Sequence, residues 1–187
     1  MEKIDDMMVM WKEMDSKLSS LIEENKRLAN EIKKNKAKSN QEKLIRKYRT
    51  FIILEAVCIP LMVILLGLNP EVVEKYRWPA LIYFVCFFLL EICIDGYLLS
   101  KLNGIDIYND SIVDISRQAR ANWKTHQLAV LIGIPIAIGA VVLFCMAIGG
   151  NPATLWGVFV GGVIGLGIGL NEFFKFRKNY KEMYRSE

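Results

Sequence analysis

The sequence predicts an all-α membrane protein. An N-terminal cytoplasmic coiled-coil helix precedes four transmembrane helices arranged as two hairpins, with both termini inside. Three observations lead there. Charged and apolar residues are segregated along the chain, four apolar runs match the width of a bilayer, and the first 36 residues repeat in heptads. The expected organisation is a coiled coil over 1–36, a basic juxtamembrane linker over 37–50 and a first hairpin over 51–100. A cytoplasmic loop with an interfacial amphipathic helix follows over 101–126, then a second hairpin over 127–174 and a basic tail over 175–187.

Of the 187 residues, 53% are hydrophobic and 24% charged. Residues 1–50 hold 13 of the 24 Lys and Arg, whereas 51–68 hold a single charge, Glu55. A compact soluble core does not separate the two kinds so completely. The apolar runs lie at 51–68, 79–100, 127–148 and 154–174. A helix needs about 20 mostly apolar residues to cross about 30 Å of hydrocarbon, so the first run is near the lower limit and the others fit. The N-terminus "MEKIDDMMVMWKEMDSKL" is acidic and amphipathic, without the basic-then-apolar order of a secretory signal. It is expected to stay on the side where it was made.

Basic residues set the orientation. Residues 33–49 carry eight Lys or Arg, 101–126 carry four and the tail from Asn171 carries five, against two in 69–78 and none in "GGNPA". The positive-inside rule then puts both termini and the 101–126 loop in the cytoplasm. The four cysteines, Cys58, Cys86, Cys93 and Cys145, fall inside apolar runs without a C-x-x-C pair. They read as buried small hydrophobes, not as a disulfide or metal framework.

The coiled coil has a regular seam. Ile4, Trp11, Leu18, Asn25 and Ile32 take position a, and Met7, Met14, Leu21, Leu28 and Asn35 take d. A lone Asn at a with Leu at neighbouring d positions favours a parallel two-stranded coil, because the two amides pair across the seam. Homo-oligomerisation, with a dimer favoured, is therefore expected. Glu31 at g is placed to reach Lys36 at e of a partner. Met7, Met8, Met10, Trp11 and Met14 make the tip wider and softer, and a methionine-rich face suits a cytoplasmic protein partner as well. The basic stretch Lys33–Arg49 adjoins a span, so anionic lipid headgroups are its expected partner, at about 1 kcal/mol per residue near the surface. Nucleic acid is not expected there.

The spans carry internal signals. "YRTFIILEAVCIP" from Tyr48 and "WKTHQLAVLIGIP" from Trp123 match at an offset of 75, from the aromatic–basic–Thr start to Pro60 and Pro135. Asn69-Pro70 and Asn151-Pro152 then mark the exterior turns, as a duplicated hairpin would. Pro60 and Pro135 are each expected to kink a helix. Before the third span, Asp110 or Ser111 is placed to cap a helix. Ile112, Ile115, Ala119, Trp123 and His126 share one face of it, as in a helix lying at the interface.

Glu55, Glu91, Asp95 and Glu172, with the only histidine, His126, are expected to converge on the cytoplasmic leaflet. Glu91 and Asp95 share a helix face, Glu91 being about 6 Å deeper. Intramembrane carboxylates face a partner, a cavity or a pathway. Two readings stay open: a cation or proton site, or a salt-bridge network with Arg49, Lys101, Lys124 and Lys175. The fourth span carries Gly157, Gly161, Gly165 and Gly169 at intervals of four, widened by Gly162 and Gly167. Small residues let helices approach closely in lipid. With Ala129, Gly133 and Ala137 on the third span, the expected role is tight packing of the fourth helix on the third. A subunit contact or a pore lining are the alternatives.

Four spans with a carboxylate in the first resemble the small multidrug exporters. That resemblance covers only the span count and Glu55, which is shallow here, and those proteins lack the long coil and basic linker. The segment "MVMWKEMDSKLSSLIEENKRLANEI" resembles the opening of uncharacterised small bacterial inner-membrane proteins over about 50 residues; it implies no activity, cofactor or catalytic residue. One histidine, no G-x-S-x-G and no phosphate loop argue against an enzyme. No cofactor and no metal are expected. The leading expectation is a non-enzymatic multi-pass protein of the bacterial cytoplasmic (inner) membrane. Its coil would oligomerise it or recruit a cytoplasmic partner, in a scaffold or signalling role. The alternatives are a small channel or transporter for a cation or proton-coupled solute using Glu55, Glu91 and Asp95, or a membrane-tethered transcription regulator.

Overall fold

The structure, a computed structural model, describes residues 2–69, 72–149 and 152–184, and side chains from Met7 onward with Val9 excepted. The side chain of Ile4 in the seam, Pro70 and Asn151 of the exterior turns, and Arg185 of the tail therefore lie outside what is described. Among the described residues the regular structure is all helical, without a strand. Helix α1 spans Glu2–Met62 and passes into a π-helical turn over Val63–Gly67; α2 spans Glu74–Asn103, α3 Ile112–Ala147 and α4 Pro152–Tyr184. Each contains a stretch long and apolar enough to cross a membrane.

Local chemistry accounts for these elements. Residues 2–59 contain neither Gly nor Pro, so nothing interrupts α1, which at about 1.5 Å per residue is about 92 Å long. Pro60 lacks the N–H that would bond the carbonyl of residue 56, and three residues later the helix widens into the π turn. Pro135 lies inside α3, which continues through it. Ser111 caps α3: its hydroxyl oxygen accepts from the Asp114 N–H at 3.1 Å and its O–H donates to the Asp114 carboxylate at 2.7 Å. Gly149 follows α3 with φ of +69°, a left-handed conformation that ends the helix at little cost only for glycine.

The helices form a ring in which α1 neighbours α2 and α4, and α3 neighbours the same two. Two apolar clusters hold them. The first lies at the base, where the middle of α1 meets the end of α2, the start of α3 and the end of α4. Leu44, Tyr48, Leu98, Leu102, Trp123 and Tyr180 are buried there, with Ile105 and Ile107 from the α2–α3 loop. The second lies at the turn end and comes from the π turn, α2 and α3 and their connections, with Leu66, Val72, Phe84 and Ala140 at its centre.

Three expectations change. Residues 37–50 are not a linker: they continue α1, with Ala37, Asn40, Gln41, Leu44 and Tyr48 buried against the base. No separate interfacial helix precedes the third span, because 112–126 is the opening of α3 itself. Ile115, Ala119 and Trp123 still share its inner face, as their spacing requires, buried in the base cluster.

The third correction concerns the glycines. From Pro152 to Asn171 every residue of α4 except Val158 is exposed, so this half of α4 does not pack on α3. A β-carbon added at Gly157, Gly161, Gly162, Gly165, Gly167 or Gly169 would meet nothing within 4 Å. The small residues of α3 serve α2 instead. A β-carbon at Gly133 would stand 3.0 Å from Glu91 Oε1, and one at Gly139 only 2.7 Å from the Tyr83 hydroxyl. That hydroxyl donates to the Ile136 carbonyl at 3.0 Å, so the tight seam of the molecule is α2 against α3.

Candidate ligand cavity above the helix bases

A cavity of about 550 Å³ opens above the base cluster, among all four helices. Helix α1 contributes Tyr48, Phe51 and Glu55 at intervals of three and four, one face of the helix. Asp95 comes from α2, and His126, Val130 and Ile134 from α3. Helix α4 borders the remaining side with Gly165 and Gly169 above, and Glu172, Phe173 and Phe176 below. The walls are apolar and aromatic, and the polar groups are three carboxylates, one imidazole and the Tyr48 hydroxyl.

These polar groups differ in what holds them. Glu172 accepts from Lys175 at 2.6 Å and also from Lys47. Glu55, Glu91 and Asp95 form no ion pair among the described residues, and Glu55 Oε2 is shut off from solvent without a hydrogen-bond partner. The expected salt-bridge network therefore exists for Glu172 alone. Its cations are Lys175, as expected, and Lys47; Arg49, Lys101 and Lys124 form no ion pair among the described residues. Glu91 does not line the cavity but lies against Gly133, one helical turn away from Asp95.

The floor is an aromatic stack around His126. Its ring lies 4.9 Å from that of Phe176 and 5.5 Å from that of Trp123, at interplanar angles of 20° and 27°. The Tyr48 hydroxyl meets His126 Nδ1 at 3.1 Å and the Tyr180 hydroxyl at 3.0 Å. Tyr48, Phe176 and Tyr180 did not stand out as site residues in the sequence. Their signal on α4 is spacing: Phe176, Tyr180 and Met183 carry the face of Phe173 past the apolar run into the basic tail.

Below the floor, polar side chains close the helix ends. Gln41 donates to the carbonyls of Leu102 and Ile105 at 2.8 and 3.0 Å, which satisfies the end of α2. Asp106 accepts from the backbone N–H groups of Tyr108 and Asn109 and from the Asn109 amide. The Asn109 side-chain bond leads in holding its carboxyl below the usual range, and the backbone bonds add to it. Lys34 donates to the Tyr108 carbonyl at 2.8 Å, and Lys38 to the Tyr108 hydroxyl. Lys36 lies 3.6 Å from Glu182 of its own α4, not free for Glu31 of a partner. Part of the basic stretch is thus used within the chain, and Lys43, Arg46 and Arg49 remain exposed.

The seam residues of α1 whose side chains are described are all exposed. Met7, Trp11, Met14, Leu18, Leu21, Asn25, Leu28 and Ile32 touch no core, and Trp11 is 68% accessible. The cysteines carry no disulfide; Cys58 and Cys145 are half-buried, while Cys86 and Cys93 are exposed on α2, contrary to the buried role expected of them. Among the described residues no three His, Cys, Asp or Glu side chains are grouped to hold a metal ion. Compared with family models, curated proteins and solved structures, the chain matches none.

Proposed function

We propose that the chain is a non-enzymatic multi-pass membrane protein that two copies form together, joined by their N-terminal helices on the cytoplasmic side as a scaffold. One observation carries this reading: α1 has an exposed apolar stripe on one side and, on the opposite side, a stripe that packs on the rest of the chain. The first runs through Met7, Trp11, Met14, Leu18, Leu21, Leu28 and Ile32, exposed throughout. The second runs through Ala37, Gln41, Leu44 and Tyr48, buried against the rest of the chain, and on to half-buried Phe51 and Glu55. With Asn25 counted in the first, both advance by alternating steps of three and four.

The second stripe is offset from the first by two residues, about 200° around the helix at 3.6 residues per turn. The first face, continued, passes through Ser39, Glu42, Arg46 and Arg49, all exposed. Its apolar character thus ends at Ile32, so the zipper closes before the membrane and leaves a charged gap between two membrane bodies. The chain's own helices all lie on the opposite face and cannot cover the zipper stripe. Full burial of a single Leu or Ile contributes about 1.5–3 kcal/mol, which a second copy supplies. Asn25 within the stripe selects a parallel pair. Lys43, Arg46 and Arg49 then stand beside the membrane, where anionic headgroups attract them.

The test is co-purification of two differently tagged copies from one membrane. The untagged sequence otherwise unchanged, each copy should bring down the other. Leu21→Lys with Leu28→Lys should abolish this, while Glu55→Gln with Asp95→Asn leaves it intact. Recovery unaffected by the Leu pair would refute the reading.

A further inference from the structure

We propose that the outer face of α4 binds one anionic phospholipid, with its phosphate at Arg177, Lys178 and Lys181 and an acyl chain along Val163, Leu170 and Phe174. At about 100° per residue these six side chains fall within an arc of about 100°. They are turned away from Phe176, Tyr180 and Met183, which face the base cluster. All six are exposed. The stripe is apolar up to Phe174 and basic from Arg177, so it changes character where α4 leaves its apolar run. Arg177 and Lys178 lie about 5–6 Å along the axis from Phe174, within the roughly 5–8 Å depth of a headgroup layer.

Charge and direction select this ligand. A groove of about 290 Å³ is formed by Phe174, Arg177, Lys178, Lys181 and Glu182. Its three cations form no ion pair among the described residues, whereas Glu182 lies 3.6 Å from Lys36 of α1. An anion beside the membrane supplies the charge that the groove lacks. Side chains slope toward the N-terminus of their own helix. On α4 that end is the apolar run, so the three cations reach back toward the bilayer. Helix α3 carries a basic groove of similar size, about 300 Å³, with Arg117, Arg120 and Lys124. Helices α1 and α3 enter their apolar runs from the basic end, so their cations slope away from it. Arg117 is also paired with Asp114 at 2.7 Å, and Arg120 lies over the Tyr184 ring at 5.4 Å. On α4 the cations slope toward an exposed apolar strip on their own face, which suits both ends of a lipid. The site belongs to one copy of the chain and does not depend on the zipper.

The experiment uses the full chain in phosphatidylcholine nanodiscs that carry a trace of phosphatidylglycerol with a diazirine on one acyl chain. Illumination and peptide mass mapping locate that chain on the protein. The proposal expects labelling of residues 163–174 that unlabelled phosphatidylglycerol displaces, and at least tenfold less labelling by a diazirine-bearing phosphatidylcholine. Arg177→Gln with Lys178→Gln and Lys181→Gln should lower the anionic labelling at least tenfold. Arg177→Lys with Lys178→Arg and Lys181→Arg, which keep the charge, should leave it within twofold. So should Arg117→Gln with Lys124→Gln, and Lys43→Gln with Arg46→Gln and Arg49→Gln, on the other helices. Helical circular dichroism checks that each variant is folded. Equal labelling by the two lipids would identify ordinary lipid contact and overturn the proposal. So would labelling within twofold after loss of the three cations, or displacement by millimolar glycerol phosphate, which would make the groove a site for a free phosphate.

Discussion

Glu91 Oε1 occupies the space beside Gly133, 3.0 Å from where a β-carbon on that residue would stand. An intramembrane carboxylate on α2 is thus accommodated by the absence of a side chain on α3. The pair predicts a coupling that neither residue shows alone. Gly133→Leu forces the helices apart or displaces the carboxylate, and overpacking of this kind costs about 1–3 kcal/mol. Glu91→Ala vacates the same space, so the double variant should recover at least half of that loss. Thermal unfolding in detergent, run as a double-mutant cycle, reads the coupling directly. Additive effects would mean that the two side chains do not share the space.

The neighbouring contact makes a sharper case. A β-carbon at Gly139 would stand 2.7 Å from the Tyr83 hydroxyl, which donates to the Ile136 carbonyl. Gly139→Ala should therefore destabilise the protein despite alanine's better helix propensity, worth about 1 kcal/mol in soluble helices. In a Tyr83→Phe background the same substitution should be tolerated or stabilising. Unfolding temperatures of the four chains decide it.

Tyr48 bonds both His126 and Tyr180 by one hydroxyl, whereas Tyr180 bonds only Tyr48 among these. Tyr48→Phe should cost more than Tyr180→Phe. Each lost hydrogen bond is worth about 1 kcal/mol, with a further penalty for a partner left buried and unpaired. Phe176→Ala, which removes the ring stacked on His126, should cost about 3–5 kcal/mol. Denaturant unfolding followed by fluorescence, with Trp11, Trp78 and Trp156 replaced by Phe so that Trp123 stacked on His126 is the emitter, reports on this region.

Legibility in the sequence divides along a physical line. Features that depend on position along one helix were readable. The four apolar helices, the Ser111 cap and the inner face of Ile115, Ala119 and Trp123 all follow from composition and period. Features that depend on how a helix is rotated against its neighbours were not. The Gly157–Gly169 column shows that close approach is permitted, but nothing in it names a partner, and α4 leaves it open. Gly133 was assigned to the wrong neighbour for the same reason, since its surroundings are set by Glu91 on α2. At the site, the convergence of Glu55, Asp95, Glu172 and His126 was legible from depth alone. The aromatic floor was not, because Phe176 and Tyr180 sit among the charges of the tail.

The loop after α2 should respond to acid. Asp106 has its carboxyl held below the usual range by Asn109 and the adjacent backbone, so its ionised form is favoured in the folded loop. Its contribution is present above the carboxyl's unfolded value, about 3.9, and is lost as pH falls through the lower folded value. Asp106→Ala should abolish that dependence and loosen the loop at neutral pH, exposing Ile105 and Ile107. Hydrogen exchange of residues 105–110 from pH 7 to pH 3 shows both effects. Unchanged protection in the variant would remove Asp106 from this role.

Pairing of the exposed α1 stripe with a second copy, as proposed, would set the mass of the particle. The most direct measurement is the protein mass of the full chain in detergent micelles. Two chains of 21.4 kDa are expected in the unaltered protein and a single chain after Leu21→Lys with Leu28→Lys. A single chain of 21.4 kDa in the unaltered protein at micromolar concentration would contradict it.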